Sequence, residues 1–314
     1  MTTASPPPSG EGQRSYDHGD TVTGRDVFLG AGALFLEIAL SFVIAIFVKW
    51  LEPDLSVFVI LFFRYFFCLP LLFAYGAGVR GRKLLHINNR KVLVLRIISG
   101  VLGLGTWFVA LTLIDLSLAT ALSQTMPIFI TVLAALIIGE KVGPRRIGAV
   151  VFGFLGVVVV LGPSSLTGGL SWGVVFGLLA PFFAALMFVF LRMLGRGEAP
   201  VSTALWYNMA GMLLMAGVIT ASGLNFPSFD APLSLWLMLI SIGVLASLQQ
   251  LFMAVSHTFA PASVLAPVHY TAIPLGLITG VVFFDEVLSA SLLVGTGVIL
   301  AANYYILVRE RAGM

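Results

Sequence analysis

The chain has 314 residues, of which 59% are hydrophobic and only 10% charged, with a formal net charge of +3. Soluble domains run at about 45–50% apolar and about 25% charged, so no soluble fold covers this much apolar surface with so few charges. The mean hydropathy of +1.05 points the same way, and the expected solvent for most of the chain is lipid.

The basic balance is not a nucleic-acid signal, because the lysines and arginines sit in short loops between apolar runs. The lone Cys68 cannot close an internal disulfide, and no Cys/His cluster has zinc spacing. No cofactor or metal is expected.

In chain order, the opening "MTTASPPPSGEGQRSYDHGDTVTG" is rich in Pro, Ser, Gly and charge. Such a stretch cannot bury a core, so residues 1–25 are expected to form a disordered tail. It lacks the basic-then-apolar order of a cleaved signal peptide.

Ten apolar runs follow, each read as a membrane-spanning helix: 27–48, 55–79, 92–113, 117–138, 146–162, 170–191, 202–222, 233–256, 262–284 and 287–308. About 20 apolar residues suffice for a crossing; the fifth run is short and Gly-rich. Residues 309–314 are expected to form a short tail. Trp50, Trp172 and Trp236 fall at span ends and read as interfacial anchors.

With ten spans both termini lie on one side. Fourteen of the 17 Lys and Arg residues fall on that side, only Lys49 falls in the opposite loops, and Arg64 and Arg96 lie within or at the edge of spans. Lys/Arg-rich loops stay in the cytoplasm, so a multi-pass plasma-membrane protein with both termini cytoplasmic is expected.

Two segments of equal length, "ALSQTMPIFITVLAALIIGEK" (121–141) and "PVHYTAIPLGLITGVVFFDEV" (267–287), carry polar residues near one end and stop on Glu140 and Glu286. They lie 146 positions apart. Ten spans divide into five plus five, and an odd number per half turns the second half upside down. The expected fold is therefore all-α, with two inverted five-helix repeats (27–162 and 170–308) around a central cavity, a plan found in many transporters.

"LATALSQTMPIFITVLAALIIGEK" and "APASVLAPVHYTAIPLGLITGVVFFDEV" resemble the hallmark segments of EamA-type members of the drug/metabolite transporter superfamily. "VKWL" (48–51) and "ILFFRYFF" (60–67) resemble the first two spans of one bacterial branch. The likeness covers residues 27–308. It departs in "DLS" at Asp115, where the family often reads Pro-Leu-Ala, and in Asp285, where Gly usually precedes the acidic stop. The resemblance implies alternating access without ATP, a bacterial inner membrane, and a cavity lined largely by the third, fourth, eighth and ninth spans.

Small residues four apart let helices approach closely in lipid, as at Ser99/Gly103, Ala149/Gly153, Gly173/Gly177 and Gly276/Gly280. Pro127, Pro267 and Pro274 sit inside spans beside polar residues, where a lost backbone hydrogen bond bends the helix. They are either hinges or packing accommodations.

An ionisable residue in a bilayer demands explanation, since a central Arg or Asp costs about 2.5–3.5 kcal/mol to insert. Glu37 and Arg64 are both expected to face the interior near the midplane. Three readings of Glu37 stand open: an ion pair with Arg64, a protonatable coupling or substrate-amine site, and a neutral acid with local hydrogen bonds. Arg64 is alternatively suited to a substrate carboxylate or phosphate.

Further candidates are Trp107, Gln124, Thr125, Asn208, Gln249, His269, Tyr270 and Thr271. Gln249 and Gln250 adjoin and cannot point the same way. Glu140 and Glu286 are read mainly as fixing the start of the following helix through its dipole, with a gating salt bridge to Lys141 or Arg145 as the rival.

The leading function is a secondary carrier of a small polar metabolite, such as an amino acid or a derivative of one. The rivals are an intramembrane enzyme, disfavoured because no HExxH, paired-carboxylate or Walker motif occurs, and a non-transporting receptor or structural protein. Expected partners are the lipid bilayer and a small-molecule substrate, with no nucleic acid. Protons and a second copy in a homodimer are open candidates.

Overall fold

A computed structural model describes residues 24–139, 143–168, 171–194, 198–259, 265 and 268–312. These form an all-helical bundle, with no strand among the described residues. Its helices are α1 (Gly24–Leu51), α2 (Val57–Arg80), α3 (Arg90–Leu113), α4 (Leu116–Ser123), α5 (Met126–Ile138), α6 (Pro144–Gly168), α7 (Trp172–Leu194), α8 (Pro200–Ala221), α9 (Leu233–Phe259), α10 (Ala272–Phe284) and α11 (Ala290–Ala312). A single 3₁₀ turn, Gly81–Lys83, follows α2.

Eight segments are long and apolar enough to cross a membrane, with α4 and α5 counted as one; the shorter Ile147–Gly162 and Ala272–Phe284 complete ten. Helix is the form that lipid demands, because it satisfies every backbone polar group within the segment. Large apolar side chains such as Phe28, Leu136 and Val282 remain exposed on the outside of the bundle, where acyl chains would cover them.

Two boundaries differ from expectation. Gly24 and Arg25 are already helical, so the N-terminal tail is shorter than 1–25; residues 1–23 lie outside the described residues. At the other end, α11 continues to Ala312, which removes most of the expected 309–314 tail. The fifth span keeps to expectation, as an apolar helix over Ile147–Gly162 that breaks at Gly162, whose φ of 71° is not helical.

The halves pack as exchange pairs. Helix α3 packs on α7, and its counterpart α9 packs on α1. Contacts between α5 and α7 are matched by α10 against α1, and those between α2 and α9 by α8 against α3. The pairs α2·α8 and α6·α11 each join equivalent helices of the two halves.

Local geometry repeats at the same 146-residue offset. Thr125 Oγ1 donates to the Leu122 carbonyl at 2.7 Å, and Thr271 Oγ1 donates to the Val268 carbonyl at 2.7 Å. Gly139 ends α5 in the left-handed region at φ 77° with its N–H on the Ala134 carbonyl. Asp285 ends α10 at φ 51° with its N–H on the Gly280 carbonyl. Left-handed backbone favours glycine but admits Asp, so Asp285 occupies the conformation that Gly139 takes in the first half.

Candidate functional site

The fourth span is not a bent helix but two helices, α4 and α5, separated at Gln124 and Thr125. Pro127 sits in the first turn of α5, where its missing N–H is an orphan anyway. Pro274 likewise falls in the first turn of α10, just after the Tyr270–Thr271 turn, and is exposed. Both prolines lie inside their spans but in the first turn of a helix that follows a break, rather than in the middle of a continuous helix; Pro267 lies outside the described residues. The break at Gln124 leaves a carbonyl that Asn303 Nδ2 of α11 satisfies at 2.7 Å.

Polar side chains from both halves meet at mid-depth. Glu37, midway along α1, accepts from Gln249 Nε2 of α9 at 3.0 Å. The adjacent Gln250 turns to other helices: its Oε1 accepts from Asn208 Nδ2 of α8 at 3.3 Å, and its Nε2 lies 3.3 Å from Cys68 Sγ of α2. Ser247 Oγ donates to the Cys68 carbonyl at 3.2 Å. The two glutamines thus diverge as the 100° helical step requires, linking α1, α2, α8 and α9.

Arg64 is 6% exposed and lies one turn before Cys68 on α2. Among the described residues it meets no carboxylate within ion-pairing distance, so the Glu37–Arg64 pair does not form. The reason is geometric: Glu37 turns to α9, while Arg64 shares a face with Cys68.

Two tyrosines that the sequence reading passed over stand between Arg64 and a second buried guanidinium, Arg96. The Arg64 Cζ lies 5.5 Å from the Tyr65 ring centre. Tyr65 and Tyr207 meet edge to face, their rings 5.6 Å apart and their hydroxyls 3.3 Å apart. The Arg96 Cζ lies 4.9 Å over the Tyr207 ring, and Arg96 Nη1 donates to the Thr203 carbonyl at 3.3 Å. Gly211 and Gly100 leave room for the rings: a Cβ at Gly211 would sit 2.6 Å from Tyr65, and one at Gly100 2.8 Å from Tyr207.

Glu286 does not serve the helix that follows it, and among the described residues its ion-pair partner is Lys49 rather than Arg145; Lys141 lies outside the described residues. The left-handed turn at Asp285 sends its carboxylate back across the bundle to the start of α4. There it accepts from Leu116 N at 2.5 Å and Ser117 N at 2.8 Å, while Asp115 makes no side-chain cap. An anion at these orphan amides is favoured by the helix dipole.

Lys49 at the end of α1 completes the cap, with Nζ 3.6 Å from Glu286 Oε1, 3.1 Å from the Ile114 carbonyl it donates to, and 4.9 Å from the Phe284 ring centre. Gly276 and Gly280 bring α10 against Thr120 and Ser117 of α4. At the opposite end Glu198, also passed over by the sequence reading, accepts from Asn88 N at 2.7 Å and Asn89 N at 2.9 Å, tying the α7–α8 turn to the start of α3.

The remaining candidates are scattered. Trp107 is half-buried on α3; Gln124 and Thr125 are buried at the first break; His269, Tyr270 and Thr271 are half-buried at the second. Glu140 lies outside the described residues. A hollow of about 270 Å³ is lined by Glu52, Asp54, Ser56 and Thr112 at the Lys49 end rather than at mid-depth. A signal for Tyr65 and Tyr207 did exist in the sequence: polar aromatics inside apolar spans.

The model of the EamA-like transporter family matches the chain twice, over residues 29–162 and 171–308. A riboflavin transporter of Brucella anthropi is 29% identical over 238 residues, 74% of this chain and 81% of the relative. An S-adenosylmethionine uptake transporter of Rickettsia felis is 26% identical over 289 residues, 91% and 94% of the two chains. One solved structure superposes with a TM-score of 0.59 at 20% identity, over 92% of this chain and 98% of its own; that likeness speaks to fold alone.

Proposed function

Because the chain belongs to the EamA-like transporter family and is a multi-pass membrane transporter of a small metabolite rather than an enzyme, we propose that it is a secondary carrier of an amino acid or amino-acid derivative, working by alternating access without ATP. The reading rests on one observation above all: the mid-depth cluster of Glu37, Cys68, Asn208, Gln249 and Gln250 draws on both halves of the bundle. A substrate held there would contact both repeats, so their relative rocking would pass it from one side to the other. Relatives named for S-adenosylmethionine and riboflavin make those compounds the first to test.

In this reading the Lys49 end faces outward and the Arg80 end faces the cytoplasm of a bacterial cell, as the Lys/Arg bias requires. The Lys49–Glu286–α4 contact closes the outer end, and opening breaks it. Glu37 is the candidate for proton coupling. A homodimer remains compatible with the exposed apolar faces.

Counterflow of labelled S-adenosylmethionine and riboflavin into proteoliposomes loaded with unlabelled compound tests the carrier. Exchange without ATP supports it, and chemical conversion without exchange refutes it. Glu37→Gln tests the coupling: exchange persists while pH-driven accumulation disappears, and unaltered pH-driven accumulation removes protons from the mechanism.

A further inference from the structure

Seven buried side-chain polar atoms lack a hydrogen-bond partner among the described residues: Arg64 Nε and Nη1, Arg96 Nε, Ser117 Oγ, Ser202 Oγ, Asn208 Oδ1 and Asn303 Oδ1. Five of them lie on the adjoining faces of α2, α3 and α8. Buried polar groups are ordinarily satisfied and buried charges ordinarily paired. Here two guanidinium groups, 6% and 8% exposed, meet no carboxylate among the described residues. A lipid-embedded bundle has every reason to exclude such charges.

The geometry also gives direction. Arg96 lies six residues into α3 from the Arg80 end, and Arg64 lies seven residues into α2 from the Lys49 end. At about 1.5 Å per residue, the two backbone positions stand at different depths, Arg96 nearer the Arg80 end. Tyr65 and Tyr207 fill the interval, with their hydroxyls in contact and each ring beside one guanidinium. Arg64 adjoins the node made by Cys68, Gln250 and Asn208. The forked donors of arginine suit a carboxylate or phosphate held by two parallel bonds.

We propose that Arg64 and Arg96 are two stations for the anionic group of the transported metabolite, Arg96 nearer the Arg80 end and Arg64 beside the mid-depth cluster, with the Tyr65–Tyr207 pair between them. This rests on the carrier reading and narrows its substrate to a compound bearing a carboxylate or phosphate. The anion occupies them in turn, passing the Tyr65–Tyr207 pair, whose hydroxyls bond each other and the Gly100 carbonyl.

The test compares compounds that differ only in the anionic group: S-adenosylmethionine with its decarboxylated form, FMN with riboflavin, and methionine with methioninamide. Melting temperatures of the purified full chain are measured with each, and with inorganic phosphate and chloride, for wild type, Arg64→Gln, Arg64→Lys and Arg96→Gln. The member bearing the carboxylate or phosphate in at least one pair should raise the wild-type melting temperature by several degrees more than its partner. Arg64→Gln should abolish that difference, and Arg64→Lys, which keeps the charge without the fork, should retain part of it. Arg96→Gln should slow counterflow of the same compound at least tenfold while leaving some stabilisation.

Equal shifts within every pair overturn the proposal, as do differences that survive both glutamine variants. Stabilisation by inorganic phosphate or chloride alone overturns it too, since the arginines would then hold a structural counter-ion. Counterflow in the same proteoliposomes keeps the two readings apart. Riboflavin exchange unaffected by Arg64→Gln retains the carrier and discards the anion stations.

Discussion

The contact around Glu286 and the neighbourhood of Arg64 and Arg96 treat buried charge in opposite ways. Around Glu286 the carboxylate is answered three times, by the amides of Leu116 and Ser117 and by Lys49. Around Arg64 and Arg96 three guanidinium nitrogens have no partner among the described residues. A satisfied charge stabilises the arrangement that satisfies it. An unsatisfied one costs stability until something arrives. The first region therefore reads as a closure that must be broken, and the second as a site that must be filled.

The sharpest way to break this contrast is Glu286→Ala. It strands two helix-end amides and leaves Lys49 without its carboxylate, so it should cost about 3–5 kcal/mol, read as a lower melting temperature in detergent. Glu286→Gln, which keeps an acceptor oxygen, should fall between. A wild-type melting temperature for Glu286→Ala would mean that the contact holds nothing.

Arg64→Met should move stability in the opposite direction. Replacing an unpartnered buried guanidinium with an apolar chain of similar reach should stabilise the ligand-free protein by about 1–3 kcal/mol while abolishing transport. Such a trade is expected where function requires an unfavourable group. Loss of both stability and transport would show that Arg64 is a structural residue.

Gly280→Ala should be destabilising by about 1–3 kcal/mol, because the added Cβ meets Glu286 and Ser117. Gly217→Ala is its control. Nothing lies within 4 Å of a Cβ at Gly217, so better helix propensity should leave stability equal or slightly higher. Thermal melts of the two side by side separate close packing from a general cost of replacing glycine.

Lys49→Met is the smallest expected change, about 1 kcal/mol. The lysine side chain is 17% exposed, and Glu286 keeps both amides without it. Its clearer signature should be a faster reaction of cysteines at the Lys49 end with an impermeant reagent.

Much of the fold was legible because a bilayer restricts the alternatives. Ten apolar runs and a lopsided Lys/Arg distribution lead to the helix count, and the common 146-residue offset between the acidic stops recurs in the backbone itself, in the paired Thr125/Thr271 and Gly139/Asp285 geometries. Glu37, Asn208, Gln249 and Gln250 stood out as polar residues in apolar surroundings, and the bond between Gln249 and Glu37 spans the two halves.

What escaped was partnership across long sequence separations. Glu286 serves a helix start 170 residues earlier, and no periodicity encodes that. Arg96 was placed at a span edge because Arg90 and Lys91 beside it read as loop residues, yet α3 begins at Arg90 and carries Arg96 inside. Tyr65 and Tyr207 lay in runs rich in aromatics, and only Gly211 and Gly100 opposite them hinted at seated rings. The break at Gln124–Thr125 was read as a proline bend because Pro127 is the louder residue, although a proline there costs the new helix nothing.

The central claim is that the Lys49 end must part for transport, and a reversible cross-link tests it most directly. Trp50 of α1 and Phe283 of α10, whose rings lie 6.1 Å apart, belong to opposite halves. With the buried Cys68 retained, Trp50→Cys with Phe283→Cys should counterflow the substrate when reduced, stop when oxidised, and recover on reduction. Undiminished counterflow in fully cross-linked protein would contradict the account.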